Sequence, residues 1–352
     1  MIADVSRYLV RVAVACLFCA CLSQSLAARV VDGLYSARIA VADRSETALN
    51  AAAREGLARV LVKITGRREI VSEPVLERAV REARDFLQQY SYQSADDRPL
   101  ELELRFSSEA VRSLVIEAGA PLWTANRPQV LVWLVIDGAG GRRLVGAGTH
   151  PDRVVQLRRA FERRGLPLVI PLLDLKDIVT LEPGDAWRQN LARIKQASAR
   201  YPAEQVLVGR TVTLSNGRWL GDWMLYDGRE RVDRSVSADS VNVFLDAGVD
   251  LLADAVAGRF ALTPSATVDA SAARLEVSGI KSYADYAAVV GWLESIELID
   301  QANVEWLRGD RMTLSLVAQT DLESLRPLIE LNDRLVSDSR AGDATNPVYL
   351  WQ

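Results

Sequence analysis

Cysteine and histidine are almost missing from this sequence. Its 352 residues contain three cysteines and one histidine, and Cys16, Cys19 and Cys21 all lie in an apolar run near the N-terminus. If that run is removed, the mature chain has no disulfide, no thiolate nucleophile and no thiolate metal ligand. A zinc site normally draws on several histidines and cysteines, so a single His150 argues against one. We therefore expect no metal and no other cofactor.

The N-terminus also lacks an apolar segment of membrane-spanning length. The run at residues 12–22 (VAVACLFCACL) follows Arg7 and Arg11, and it is shorter than the roughly 20 residues that a spanning helix needs. A charged start followed by a short apolar run is typical of a secretory signal peptide. We therefore expect no stable transmembrane anchor in the processed protein.

Small residues follow the apolar run, as a signal peptidase requires. We place the cut after Ala27 or Ala28 and assign residues 1–27 to the signal peptide, which predicts a periplasmic protein. A lipid anchor on Cys16 or Cys21 is the alternative, although the triplets before both cysteines match a lipoprotein signal poorly.

The charge balance shows no excess of basic residues. The whole chain has a formal net charge of −4, and Asp4, Arg7 and Arg11 give the signal peptide +1, so the mature part carries −5. Nucleic-acid-binding proteins show a basic face, and adsorption to anionic lipid needs basic clusters. We expect no nucleic-acid partner. The partner that we expect is an unidentified protein of the cell envelope.

Strand and helix signals divide the chain into three units. Residues 30–120 predict an N-terminal α+β unit, residues 129–262 a central α/β unit with an Asn-Gly hairpin, and residues 273–352 a ferredoxin-like unit of order β-α-β-β-α-β. Residues 121–128 and 263–271 lack periodicity and contain proline, which predicts a hinge and a linker. The expected fold class is α+β, with three small α/β sandwich-type units after the signal peptide.

Cap and turn residues predict the ends of several elements. Ser45 and Gly66 bound a long helix, and Ser72 is the expected N-cap of the next one. Residues 186–199 predict a single helix. Asn216-Gly217 lies between two alternating segments, which is a strong signal for a β-hairpin.

Candidate catalytic motifs are few. A Ser-His-Asp triad would have to use His150, and no Gly-x-Ser-x-Gly elbow supplies its serine. Residues 137–141 (DGAGG) follow a predicted strand but lack the Gly-Lys-Ser/Thr ending of a phosphate loop. A surface or capping histidine and a plain turn are the favoured interpretations. We predict no catalytic, cofactor-binding or metal-binding residue.

Carboxylates and tryptophans leave an alternative open. Trp219 and Trp223 are four apart on one predicted strand and would project from one face, as a sugar platform or as core residues. Arg67 and Arg68 would hold an anion or lie in a solvated loop. Two carboxylates can serve a glycosidase as acid and base, although an acidic protein has many such pairs on solvated faces. The candidates are Asp97, Glu101, Glu103, Asp174 and Asp177.

Three motifs in the first unit resemble a known family. They are residues 33–43 (GLYSARIAVAD), residues 58–67 (ARVLVKITGR) and residues 90–92 (YSY). Together they are similar to the uncharacterised proteobacterial family called domain of unknown function 2066 (DUF2066). The resemblance implies an exported protein and carries no known activity, substrate or catalytic residue.

The function predicted from these observations is a non-enzymatic periplasmic interaction or assembly module. A long, well-patterned chain without a catalytic constellation favours it, and sheet edges and grooves between units are the expected contact surfaces. The alternative is a cell-wall glycan-binding or glycan-cleaving protein that uses Asp and Glu carboxylates.

Overall fold

The computed structural model describes residues 31–93, 99–227, 230–264, 273–331, 334–338 and 347–352. The predicted signal peptide, Asp97 and most of the predicted linker lie outside these residues. Helices mix with strands that form three separate sheets, which confirms the α+β class with several small sandwich-type units. Among the helices described, none combines the length and apolar composition that crossing a bilayer requires.

The first sheet has the strand order β1-β3-β2, and all its pairs are antiparallel. One face packs against a long helix at Gly56, where an added Cβ would lie 2.7 Å from Leu104 Cδ1. Ser45 caps that helix and Gly66 ends it with φ +74°, as predicted. The elements are β1 (Ser36–Ala40), α1 (Glu46–Thr65), α2 (Pro74–Arg81), β2 (Leu87–Gln93), β3 (Glu101–Phe106) and α3 (Ser108–Glu117).

The predicted N-cap of α2 is wrong. Ser72 ends a 3-10 helix, Arg68–Ser72, in which Ile70 is buried. Glu73 takes the N-cap position with φ −65° and ψ 131° and makes no side-chain cap hydrogen bond. The physical reason is Pro74, because a residue that precedes proline is held in the extended region.

The second sheet has the order β5-β4-β7-β8-β9, with β6 also paired to β4. β4 is an apolar strand that is buried along most of its length. Gly217 has φ +81° in the turn between β7 and β8, which confirms the hairpin. The strands are β4 (Val130–Gly138), β5 (Gly141–Leu144), β6 (Leu168–Val169), β7 (Gln205–Thr213), β8 (Trp219–Tyr226) and β9 (Arg231–Ala238).

The helices of this unit differ from prediction at one place. The single helix expected over residues 186–199 is two helices, because Gln189 has φ +52° and Asn190 caps the second helix. The helices are α4 (Pro151–Arg164), α5 (Leu175–Thr180), α6 (Pro183–Trp187), α7 (Leu191–Ser198) and α8 (Val241–Phe260).

The predicted hinge at residues 121–128 is wrong. Leu122, Trp123, Thr124 and Asn126 are fully buried in this segment, which we call the junction segment. Its backbone bonds to the end of α1, to Leu262 and to residue 31. The segment is therefore part of the core between the units, and its lack of periodicity reflects irregular packing.

The third sheet has the order β11-β12-β10-β14-β13. The predicted element order occurs, and a further short strand, β14, lies between β10 and β13. β14 is parallel to β10. The elements are β10 (Ala273–Ser278), α9 (Tyr283–Glu294), β11 (Ile299–Arg308), β12 (Arg311–Ala318), α10 (Leu322–Ile329), β13 (Leu335–Ser337) and β14 (Val348–Trp351).

Candidate functional site

The structure does not build a triad around His150. The residue lies directly before α4 at its N-cap position and makes no side-chain cap bond. Its Nδ1 is buried and has no hydrogen-bond partner within the described residues. A general base needs a neighbour that orients its ring, and none is present in that part of the chain. Residues 137–141 form the plain β4–β5 turn.

The predicted carboxylates lie in two unrelated places. Glu101 and Glu103 share one face of β3, and Gln93 donates a hydrogen bond to Glu103. Asp174 and Asp177 instead organise the start of α5. Arg200 donates hydrogen bonds to both of them, and those to Asp174 lower its pKa to about 2. Asp174 and Asp177 therefore have a structural role at the start of α5.

Of the two interpretations left open for the tryptophan pair, the structure supports a core residue at Trp223 and does not support a platform. Trp223 is fully buried, stacks on Phe244 and donates its Nε1–H to the Phe244 carbonyl at 2.9 Å. A Cβ added at Gly248 would lie 2.3 Å from the indole, so the glycine makes room for the ring. Trp219 is half-buried beneath Arg153. One of the two rings belongs to the core, and a platform needs both.

An ion ladder joins the first two units. Aspartates four residues apart on α8 face arginines from the end of α4 and from the 3-10 helix of the first unit. The shortest contact joins Arg164 Nη1 to Asp250 Oδ1 at 2.9 Å, where the arginine is fully buried. The members are Arg68, Arg163, Arg164, Asp246, Asp250 and Asp254. Arg68 thus takes part in structural ion pairs, while Arg67 is exposed.

Arg127, which the sequence placed in the hinge, is the centre of the junction segment. Its guanidinium is 1% exposed and donates five hydrogen bonds to carbonyl oxygens. Two of these carbonyls, of Lys63 and Arg164, belong to the C-terminal turns of α1 and α4, where the helix dipole favours a cation. Arg127 also lies 3.8 Å above the ring of Trp123. Burial lowers the pKa of Arg127 to about 9, so it stays charged at neutral pH.

Several ionisable groups surround Arg127. Burial, with the charge of Arg127 next, lowers the pKa of Lys63 to about 8. Burial also raises the pKa of Tyr35 and of Glu297, while Arg112 and Arg127 act in the opposite direction on both. The Tyr35 hydroxyl and Glu297 Oε2 have no hydrogen-bond partner within the described residues. Perturbed groups can mark a catalytic site, but burial accounts for the largest part of each shift here.

A cleft of about 1240 Å³ opens beside this cluster, between β1, the polar face of the first sheet and α4. Charges of both signs line it, so it selects neither anions nor cations. They include Arg38, Arg105, Arg159, Glu101, Glu162 and Glu297. In the part of the chain that the structure describes, no group of three His, Cys, Asp or Glu side chains is placed to hold a metal ion.

The two edges of the first sheet differ. At the β1 edge, Lys63 Nζ donates to the Ser36 carbonyl at 2.7 Å and Arg59 Nη1 donates to the Arg38 carbonyl at 3.0 Å. Such side chains block the addition of another strand. Over Gln89–Gln93, the β2 edge is regularly paired to β3 on its inner side, and no side chain of the described residues bonds to its outer backbone groups.

Residues 28–124 match one family model, Domain of unknown function (DUF8605). That match overturns the resemblance to DUF2066, because the motifs that suggested it lie within the segment that matches DUF8605. The comparison with curated proteins found no match. The DUF8605 segment spans the first sheet, α1 to α3 and the start of the junction segment.

The structure gives the motifs of the DUF8605 segment a physical role. Within residues 58–67, Lys63 seals the β1 edge, and Gly66 ends α1 where an added Cβ would lie 2.2 Å from Ala257 Cβ. Tyr90 and Tyr92 lie on β2, where their rings meet edge to face with centroids 6.1 Å apart. The sequence showed these motifs only as patterns and did not indicate that they lie at the two edges of the first sheet.

Proposed function

We propose that this chain is an exported, non-enzymatic interaction module of the cell envelope that binds an extended segment of a protein partner along the outer edge of β2. The observation that carries the proposal is this edge over Gln89–Gln93. Among the described residues it has free backbone groups and, beyond the register shift at Leu87/Gln89, none of the features that normally protect an edge strand. Export rests on the N-terminal pattern of charged, apolar and small residues.

The direction of the free groups on β2 follows from the pairing. Phe106 donates its N–H to the Tyr35 carbonyl, so the even-numbered residues of β3 bond to β1. The odd-numbered residues of β3 then bond to β2, because bonding alternates along an antiparallel strand. Ser91 and Gln93 are opposite odd-numbered residues and point inward. The N–H and C=O groups of Tyr90 and Tyr92 therefore point outward.

Other described edges are protected in recognised ways. β9 carries charged residues (Arg231, Asp233 and Arg234), and β11 has two register shifts. β5 and β13 are only four and three residues long. β2 has seven residues (LQQYSYQ) with no charge, proline or glycine. It is the described edge best suited to strand addition, in which main-chain hydrogen bonds supply affinity.

Tyr90→Pro tests this proposal directly. Proline removes the outward N–H and leaves the bonds to β3 in place, since proline is tolerated where the N–H faces away from the sheet. Loss of one bond and desolvation of the partner's carbonyl should weaken binding by about tenfold or more. The matched control, Tyr90→Ala, keeps the N–H. The measurement is affinity capture of each form from a cross-linked envelope fraction of the native host.

The expected result is one reproducible partner that is retained by wild type and Tyr90→Ala and lost with Tyr90→Pro. Equal recovery with both variants would place the contact elsewhere. No partner, together with turnover of a purified cell-wall glycan, would favour the glycan alternative. That alternative has lost its aromatic platform, because Trp223 is buried.

A further inference from the structure

Four aliphatic side chains project from one side of the second unit. Leu172 is 71% exposed, Leu175 78%, Ile178 51% and Val179 70%. Positions 175, 178 and 179 follow the spacing of one helix face, and Leu172 lies three residues before the helix begins. We call these four residues the aliphatic patch.

The chain holds the patch in a fixed conformation. Asp177, on the opposite side of α5, is 1% exposed and accepts hydrogen bonds from the Leu173 N–H at 2.9 Å and from the Tyr201 hydroxyl. Asp174 caps α5 and accepts two hydrogen bonds from Arg200. Leu173 has φ +53°, a backbone conformation that a leucine rarely adopts. Buried polar bonds and a strained residue thus support an apolar surface that faces solvent.

The size and shape of the patch indicate what covers it. The four residues together expose roughly 450 Å², close to the largest apolar patch of an ordinary monomer and about half of the 800 Å² per partner that a stable protein interface buries. Side chains more than two-thirds exposed protrude and do not line a groove. A small, protruding and largely aliphatic surface fits the acyl layer of a bilayer better than it fits a second copy of the chain.

The charges around the patch agree with this occupant. The carboxylates of Asp174 and Asp177 are both paired with Arg200. Lys176 is exposed within the patch, and a lysine stem lies along apolar surface while its ammonium reaches the phosphate level. The chain as a whole is acidic, with a net charge of −4, so attraction to anionic lipid does not drive the contact.

We infer that the aliphatic patch inserts into one leaflet of a lipid membrane and holds the protein at the bilayer surface. The interaction is hydrophobic, so vesicles of zwitterionic phosphatidylcholine suffice and added salt does not weaken it. Contact with lipid through α5 leaves β2 free, so this inference does not depend on the function proposed above.

Vesicle sedimentation of the full chain tests the inference. Leu175→Asp should lower the partition into phosphatidylcholine vesicles by at least about tenfold. Val155→Asp is the matched control, because Val155 is a 51% exposed aliphatic residue on α4 and its variant should bind as wild type does. Circular dichroism checks that both variants are folded.

A local reporter separates the patch from any contribution of the N-terminal residues. Tryptophan fluorescence of Leu175→Trp should be quenched by brominated phosphatidylcholine, and that of Val155→Trp should show no more quenching than wild type. Equal binding of wild type and Leu175→Asp without such quenching would overturn the inference. So would binding that needs anionic lipid and falls with salt. Dimerisation in sedimentation velocity that Leu175→Asp abolishes would make the patch a protein interface instead.

Discussion

Replacement of Arg127 by methionine should destabilise the chain more than any other single side-chain change in the junction segment. The guanidinium donates five hydrogen bonds to buried carbonyls, at 2.7 to 3.0 Å. Methionine keeps most of the volume and supplies no donor. A hydrogen bond from a charged group contributes about 1.5–3 kcal/mol, but the arginine is itself desolvated, and loss of one side of a buried charged contact costs about 3–5 kcal/mol. We expect a loss of about 4 kcal/mol.

Urea unfolding followed by circular dichroism and by tryptophan fluorescence measures this loss. Part of the fluorescence signal comes from the junction segment, because Trp123, one of eight tryptophans, stacks on Arg127. Arg159→Met is the matched control, since Arg159 is exposed and makes no ion pair with the described residues, and its change should stay within about 0.5 kcal/mol. Arg127→Lys should fall between the two, because an ammonium has three donors and no planar fork.

Loss of Arg127 should also change the cooperativity of unfolding. Arg127 bonds to the ends of α1 and α4, which belong to different units, so its loss should also separate their unfolding transitions. A loss below about 1 kcal/mol would mean that water replaces the arginine at these carbonyls, since a hydrogen bond that water replaces contributes little. The interpretation of the junction segment as a rigid core would then be refuted.

Three further predictions concern other parts of the chain. Gly66→Ala should cost more than about 3 kcal/mol in urea unfolding, because φ is +74° and the new Cβ meets Ala257. Glu297→Gln should be more stable than wild type at pH 7 and equal to it in melts below pH 4.5. Burial raises the pKa of the Glu297 carboxyl above its ordinary 4.5. Wild type therefore loses stability as the pH rises through the pKa of Glu297 in the folded state. The intact mass of the exported protein should place its N-terminus at Ala28 or Arg29; a mass that includes residues 1–27 would contradict cleavage.

Local signals predicted the regular elements well. The observed bounds of α1, Glu46–Thr65, agree with the cap residues Ser45 and Gly66 that predicted them. The hairpin at Asn216-Gly217 followed from turn chemistry. The split between α6 and α7 was missed because Gln189 adopts φ +52°, a conformation that a glutamine in the sequence does not predict.

The junction segment was missed for a non-local reason. Residues 121–128 contain two prolines and no periodicity, which locally favours a hinge. They are buried because Arg127 and the Trp123 N–H satisfy carbonyls at helix ends that are distant in sequence. The choice between core and platform for Trp223 also depended on distant residues, because Gly209 and Gly248, which make room for its ring, lie on other elements.

The candidate interface could be predicted only in part. The motif at residues 90–92 was visible in the sequence, but the sheet order β1-β3-β2 makes its strand an edge, and strand order is not a local property. The sealing of the opposite edge depends on Lys63 and Arg59, which reach β1 from α1. Two side chains on one helix thus determine which edge remains available.

Amide hydrogen exchange along β2 tests the central claim most directly. In the free protein, the N–H groups of Tyr90 and Tyr92 should exchange fast and those of Ser91 and Gln93 slowly, since only the second pair bonds to β3. Addition of the captured partner should slow exchange at Tyr90 and Tyr92 by at least about tenfold, as expected for newly bonded strand amides. Slow exchange of Tyr90 and Tyr92 in the free protein, or no change on binding, would contradict strand addition at this edge.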